Sequence, residues 1–407
     1  MIKKYFKGAL ICLMAILLGG CVYDFTPDAE DLQGIEKPLV VIEGDIIVGG
    51  ETRVVLKSTS PVLSGVEQEP IFYNGSTVWV ESENGEMYMG GAADDNYASS
   101  SKWESVSFVI DTRSLDMGGK YRLCVSVPDR GEYHSAFKSV CVSPQIDSVT
   151  YNIASDRSSV EFEISTHNSQ PQPLYCRWQY EDNWESNAAL TPYVKAIQER
   201  DSIIIEDLDE AEQKQMTRCY SQGASTGIFI ASTEKLSQNV ISRERLHTVG
   251  ANDRRISSMY CLTITQTAMD KEAFKYWEGV KASVSGTGGL FAPMPNEVRG
   301  NIVSATYPQE KVLGYVNVST ASVKRVFFSS TELQLYKRNC SDAVYPMEEE
   351  GEKVWLGLYL SSMRPVRYEF DEKGRPIKNQ VYWTSEECVD CRTFSNSSRP
   401  DFWPEGR

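Results

Sequence analysis

The sequence has little histidine and no excess of positive charge. It contains only three histidines, His134, His167 and His247, which lie far apart in the chain. Lys and Arg total 41 against 56 acidic residues, so the formal net charge is −15. Nucleic-acid binding needs lysine and arginine to neutralise phosphates, and this chain has the opposite balance. A histidine-rich metal site and a nucleic-acid partner are therefore not expected.

Long hydrophobic runs and low-complexity tracts are also missing. The longest apolar stretch, residues 9–18, is too short for a comfortable membrane span. Hydrophobic residues make up 41% and charged residues 24% of 407 residues, which is an ordinary globular composition. The length predicts two to three folded domains. The composition argues against a disordered chain and against a polytopic membrane protein.

The N-terminus has the layout of a secretory signal. Three lysines precede the apolar stretch, and Leu18-Gly19-Gly20-Cys21 follows it. This tetrapeptide resembles the bacterial lipobox, in which the cysteine is acylated and becomes the new N-terminus. We therefore predict a signal peptide over residues 1–20 and lipidation of Cys21. The alternative is an ordinary cleaved signal followed by a free cysteine.

The residues after Cys21 predict a tether and a location. Val22 replaces the aspartate that resembles an inner-membrane retention signal, which indicates the outer membrane. Residues 21–36 are polar and acidic, and we expect them to link the lipid to the fold. The acidic residues are scattered, which leaves the surface and periplasmic faces both open.

Short β-rich runs fill the rest of the chain. Residues 37–144 predict a small β-sandwich, with Asn84-Gly85 as a hairpin turn. Residues 145–407 predict a second, larger β domain. Its clearest helix is predicted near residues 267–285, with Thr267 and Asp270 as capping candidates. The segment 204–218 is acidic and also has helical propensity.

Eight cysteines remain in the mature chain, an even number that suggests disulfides in an oxidising compartment. Strand alternation directs Cys124 and Cys141 away from the apolar face of consecutive predicted strands, so we expect them to form a disulfide. Cys388 and Cys391 form a C-x-x-C, and we expect Cys340 to pair with one of them. Redox or zinc chemistry is the less favoured interpretation.

Three other motifs have simple interpretations. Residues 223–227 spell G-x-S-x-G, but a strand-like run follows instead of the helix of a nucleophile elbow, and we interpret them as a turn. Gly286–Gly289 is interpreted as a helix stop. The acidic run 206–210 lacks calcium-loop spacing and predicts a solvated surface. No catalytic residue, metal ligand or cofactor is predicted.

Several segments taken together resemble one family. They are 175–181 (YCRWQYE) with Trp184, 273–278 (AFKYWE), 288–291 (GGLF), 293–295 (PMP), 300–302 (GNI), 314–315 (GY), 388–392 (CVDCR) and 400–403 (PDFW). In this order they resemble the domain-of-unknown-function family 4249, lipoproteins of the Bacteroidota, over nearly the whole mature chain. Ala292 departs from the acid that the family tends to have.

The resemblance implies an architecture and a genomic association but no catalytic residues. It implies an immunoglobulin-like or transthyretin-like N-terminal sandwich. It also implies a TonB-dependent outer-membrane receptor as a possible partner, and hence an accessory or substrate-binding role beside a transporter. The alternative is a structural or adhesive envelope lipoprotein. An enzyme is not expected, and neither a small-molecule nor a peptide ligand is identified.

Overall fold

The computed structural model describes residues 38–59, 73–93, 105–284, 299–336, 340–346, 351–395 and 398–404. The signal peptide, the tether and Cys21 lie outside these residues, as does Gly286–Gly289. The described chain is mainly β, as predicted. No helix among the described residues is long and apolar enough to cross a membrane.

The strands fall into three groups along the chain. The first is β1 (Val40–Glu43), β2 (Ile46–Ile47), β3 (Glu51–Ser58), β4 (Thr77–Ser82), β5 (Met87–Ala92), β6 (Ser105–Asp111), β7 (Lys120–Val127), β8 (Gly131–Ser135) and β9 (Lys138–Ser139). The second is β10 (Ile146–Ile153), β11 (Ser159–His167), β12 (Tyr175–Asn187), β13 (Val194–Glu199), β14 (Ser202–Asp207), β15 (Arg218–Ala224), β16 (Phe229–Ser232), β17 (Val240–Gly250) and β18 (Met259–Ala268). The third is β19 (Ile302–Ser304), β20 (Val312–Leu313), β21 (Val318–Ser319), β22 (Ala321–Ser329), β23 (Ala343–Pro346), β24 (Met363–Phe370) and β25 (Pro376–Ser385).

The helices are short and few among the described residues. They are α1 (Glu210–Thr217), α2 (Lys271–Val284), α3 (Ser330–Leu333), α4 (Gly351–Leu360) and α5 (Glu386–Val389), with 3₁₀ turns at Arg254–Ile256 and Cys391–Thr393.

The N-terminal unit is one sheet folded over its own core. Among the described residues its strand order is β19-β8-β7-β4-β5-β6-β3-β1-β20, with β9 beside β7. Strand β5 joins the two layers because it pairs with β4 through Met87–Met89 and with β6 through Gly90–Ala92. A Cβ on Gly90 would lie 2.9 Å from the Ile110 side chain and 3.0 Å from the Val78 carbonyl oxygen. Glycine therefore lets the layers approach where the strand changes partner.

The predicted division at residue 144 needs correction. Strands β19, β20 and β21 were predicted within the second domain, yet they pair with β8, β1 and β2. Ile302, Val316 and Val318 are buried in the N-terminal core. The chain thus returns to complete the first sheet, because the edges of that sheet need partners that its own local strands do not supply.

The second unit is a sandwich of two sheets. The sheet β10-β11-β17 faces the sheet β15-β12-β18-β22, in which β16 extends the β15 edge by pairing with β12. Buried side chains of the two sheets form one core: Val160, Phe162, Ile164, Trp178, Tyr260, Leu262 and Ile264. In the described part of the chain β17 pairs with β11 alone, so it forms an edge of its sheet.

The helical insertion lies where it was predicted. The Asp270 carboxylate accepts a hydrogen bond from the Ala273 N–H at 2.8 Å, which caps the first turn of α2. Ala273 is fully buried, and Phe274 and Trp277 pack around it. The other helical prediction, 204–218, is only partly confirmed. Its first residues belong to β14, and α1 begins after Asp209, which forms a capping box with Glu212.

A third, smaller core lies towards the C-terminus. The hairpin β13-β14 packs with the sheet β23-β25-β24 and helix α4. Its buried residues are Val194, Ile203, Trp355, Tyr368, Val381 and Trp383.

Candidate functional site

The predicted turn over residues 223–227 is only partly confirmed, because Gly223 and Ala224 end strand β15 and the connection to β16 begins at Ser225. A Cβ on Gly223 would lie 2.5 Å from the Asp182 carboxylate, and one on Gly227 would lie 2.9 Å from the Phe229 ring. The Ser225 hydroxyl accepts a hydrogen bond from the Tyr180 N–H at 3.0 Å. Strand β16 follows, so the segment lacks the strand-to-helix context of a nucleophile elbow.

Beside this turn lies a polar cluster that the sequence did not reveal. Its centre is His247 on β17, whose Nδ1 lies 2.8 Å from the Tyr180 hydroxyl on β12. The other ring nitrogen, Nε2, is 3.2 Å from the Arg255 guanidinium. Arg255 also donates hydrogen bonds to both carboxylate oxygens of Asp253. Asp253 and Arg255 follow β17 at the 3₁₀ helix Arg254–Ile256, whereas Tyr180 lies 67 residues before His247, so no motif spacing predicted this cluster.

The contacts define the tautomer of His247. A guanidinium can only donate, so Nε2 must accept and the proton must sit on Nδ1. The Nδ1–H group therefore donates to the Tyr180 oxygen. Burial, together with the positive charge of Arg255, holds the pKa of His247 below its usual value of 6.5. The ring is thus neutral near neutral pH.

A bulge in β17 brings His247 into the sandwich. Phe162 pairs with His247 and Glu163 with Arg245, so Leu246 has no partner on β11. Leu246 is buried in the core, and the His247 ring stacks on Phe162 with centroids 6.2 Å apart. Strict alternation would place these neighbouring side chains on opposite faces, whereas the bulge directs both inward.

A buried acid completes the cluster. The Asp182 carboxylate is 5% exposed and accepts a hydrogen bond from the Tyr260 hydroxyl at 3.1 Å. Arg255 is 3.6 Å from the same carboxylate. Burial, followed by the Asp182 charge, raises the pKa of Tyr260, and the same two causes raise the pKa of Tyr180 to about 12. Both tyrosines therefore remain protonated hydrogen-bond donors.

Two open clefts meet at Tyr180. The larger has a volume of about 1010 Å³ and is lined by residues Glu161, Tyr180, Thr226–Phe229, Glu244–Thr248, Lys281 and Val284. The smaller, of about 340 Å³, lies on the other side of the polar cluster beside Asp182, Arg254 and Phe394. The Arg254 guanidinium lies 4.1 Å from the centre of the Phe394 ring. The larger cleft is the candidate binding site, since its volume is at the upper end of the range for ligand pockets.

The disulfides differ in part from prediction. Cys340 pairs with Cys388, as one of the two predicted options, whereas Cys391 pairs with Cys219 across 172 residues. No feature of the sequence points to Cys219 as the partner in this bond. Both bonds involve the C-x-x-C, which therefore has a structural role here.

The predicted bond between Cys124 and Cys141 is wrong in this structure, where both cysteines are free. The physical reason is register. Cys124 on β7 lies opposite His134 on β8, not opposite Cys141. The backbone of Cys141 instead pairs with that of Ser319 in an isolated parallel β-bridge. The strand that contains Cys141 was expected to pair with β7 beside Cys124. Two separate short strands, β8 and β9, take that place instead.

Charged contacts join the N-terminal unit to the second sandwich. Arg177 on β12 reaches the Asp45 carboxylate at 3.1 Å and stacks 3.7 Å from the Trp277 ring centre. Lys138 is hydrogen-bonded to Asp270 at 2.9 Å, at the start of α2. These contacts tie both units to the same helix.

Other expectations fall on the surface. The acidic run 206–210 ends β14 and starts α1, with its carboxylates mostly exposed. Within the described residues, no group of three or more histidine, cysteine or carboxylate side chains is placed to hold a metal ion.

These features define a mainly β, disulfide-containing protein with an open cleft at the edge of a sandwich. The chain belongs to the family described as Domain of unknown function (DUF4249), whose model matches residues 22–325. This confirms the family resemblance noted from the sequence. The third core and three of the four disulfide-bonded cysteines lie mostly or wholly beyond the matched region. No curated protein matches the chain.

Proposed function

We propose that this protein is an outer-membrane lipoprotein, anchored through acylated Cys21, that binds a ligand or partner beside a TonB-dependent transporter. The signal layout and lipobox support the anchor. The two disulfides support an oxidising compartment outside the cytoplasm. The transporter comes from the family resemblance and is an association rather than a mechanism.

The observation that carries a binding role is the larger cleft. It opens along the edge of a sandwich whose strands are held by a buried polar cluster and a packed core. A rigid scaffold that presents an open, mixed polar and apolar cleft is suited to binding.

The hydrogen bonds of His247 favour a role in holding the strands beside the cleft over a role in catalysis. His247 has both ring nitrogens engaged, by Tyr180 and by Arg255. A general base needs a free lone pair that points at the substrate. The proposal therefore assigns no reaction to this site.

A structural or adhesive envelope role is the second candidate. It is favoured by Met87 and Met89, which are 64% and 60% exposed on β5. Exposed apolar side chains close together on a sheet are suited to self-association or surface contact.

Affinity purification from native outer membranes in mild detergent tests the proposal. A C-terminally tagged chain should co-purify with a stoichiometric TonB-dependent receptor, identified by mass spectrometry. The control is Cys21→Ser, which cannot be acylated and should leave the membrane fraction. A chain that stays membrane-bound as Cys21→Ser contradicts the anchor. An acylated chain that self-associates with no receptor favours the structural role.

A further inference from the structure

The larger cleft lies between strand β17 and the connection that leads into β16. Its lining includes five consecutive residues of β17, 244–248, and four consecutive residues that lead into β16, 226–229. The bulge turns Leu246 and His247 to the same side of β17, but the other side chains of the strand alternate, so one face alone cannot present all five residues to a cavity. The cleft therefore runs along the edge of β17, where the backbone N–H and C=O groups lie.

The edge of β17 that faces the cleft is unpaired in the part of the chain described. Its ladder joins it to β11 alone, and β16 pairs with β12 rather than with β17. In an antiparallel ladder, alternate residues direct their N–H and C=O groups away from the neighbouring strand. Among the described residues no second strand pairs with these outward groups of β17, so this edge can accept a further strand.

Tyr180 lines the cleft, and its hydroxyl offers a hydrogen-bond donor. Its oxygen accepts the Nδ1–H of His247, so its own proton must point elsewhere. Among the described residues, His247 is the one hydrogen-bond partner of this hydroxyl. A carbonyl oxygen in the cleft would accept that proton.

The charges on the rim have both signs. Arg245 and Glu161 form an ion pair at 2.7 Å, and Glu244 and Lys281 also line the cleft. A rim of this kind does not select an anionic polymer, whereas a peptide carries side chains of either charge.

We infer that the larger cleft binds an extended peptide segment, which adds as a strand along the 244–248 edge of β17. Backbone hydrogen bonds to the edge of β17 provide the affinity. Phe229 and the charged residues at the rim of the cleft select among the side chains of the peptide. The segment of β17 spans about 17 Å, the length of about five extended residues. This inference rests on the proposed binding role and names its ligand class.

A phage-displayed library of random linear peptides, selected on the acylated full chain in detergent, tests the inference. Selected peptides should protect the backbone amides of 244–248 from hydrogen exchange. The exposed residue Thr226 lines the cleft, and Thr226→Trp should fill it and weaken peptide binding by about tenfold or more. Lys235→Trp, an exposed position outside the cleft, is the matched control and should change binding by less than about twofold.

Three results would overturn the inference. They are a library that yields no enriched peptide, peptides that bind Thr226→Trp as tightly as the parent chain, and protection of amides outside β17. Binding of a glycan array that Thr226→Trp abolishes would replace peptide by carbohydrate. Urea unfolding of both variants checks that they fold.

Receptor co-purification separates this inference from the proposed function. Peptide binding without a co-purifying receptor would support the peptide site in the cleft and contradict the proposed transporter partner. A receptor that co-purifies without any peptide binding would do the reverse.

Discussion

The Tyr180 hydroxyl and the Nδ1 of His247 lie 2.8 Å apart, although 67 residues separate them in the chain. The pair joins the facing sheets of the second sandwich at their open edge. Because Arg255 occupies the other nitrogen of the ring, the direction of this hydrogen bond is defined from His247 to Tyr180.

The lowered pKa of His247 predicts a pH dependence of stability. An unfolded histidine takes up a proton near pH 6.5, whereas the folded ring resists it. The unfolded state therefore binds more protons in this window, and the free energy of unfolding falls as the pH drops through 6.5 towards the folded pKa. Urea unfolding across this range should show the fall, and His247→Gln should flatten that part of the profile. An unchanged slope in His247→Gln would contradict the assignment.

Adjacent glycines on β5 give a matched pair of variants. Gly90→Ala should lower the free energy of unfolding by about 1–3 kcal/mol, because its Cβ would crowd Ile110 and the Val78 carbonyl. Gly91→Ala is the control, since no atom lies within 4 Å of its Cβ position. Urea unfolding measures both. Equal losses in the two variants would mean that the close approach of the layers is not the cause.

Removing Arg177 should weaken the contact between the two units. Its partner Asp45 is 8% exposed, and burial, though opposed by Arg177, raises the pKa of that carboxyl. Arg177→Leu leaves the acid buried without a cation and should cost about 3–5 kcal/mol by urea unfolding. Adding Asp45→Asn to Arg177→Leu removes the acid and should restore part of the loss. A double variant no more stable than Arg177→Leu would show that the pair does not couple.

Peptide mapping should find two disulfides in the mature chain, Cys219–Cys391 and Cys340–Cys388. Cys124, Cys141, Cys176 and Cys261 should react with a thiol reagent after unfolding without reduction. Cys219→Ala should lower the free energy of unfolding by about 2–5 kcal/mol, because the bond closes a long loop. A mapped Cys124–Cys141 peptide would contradict the structure.

Local signals in the sequence were reliable where one segment carried the information. The Asp270 cap and the apolar face of α2 predicted that helix, since capping and helical periodicity act within a few residues. The connection into β16 was likewise predicted from the strand-like run after it, although β15 extends further than expected, to Ala224. The 204–218 segment shows the limit, because its first part pairs with β13 in a hairpin and tertiary packing overrides helical propensity.

The sequence by itself determined the β class, the cap of α2, the even number of cysteines and the family. Only the tertiary structure decided that Cys391 pairs with Cys219, that β19–β21 complete the first sheet, and that His247 meets Tyr180. Alternation and capping are properties of neighbouring residues, whereas these contacts depend on strand register. One bulge or one returning segment changes which residues face each other across the strands. Neither can be recognised from the spacing of those residues in the sequence.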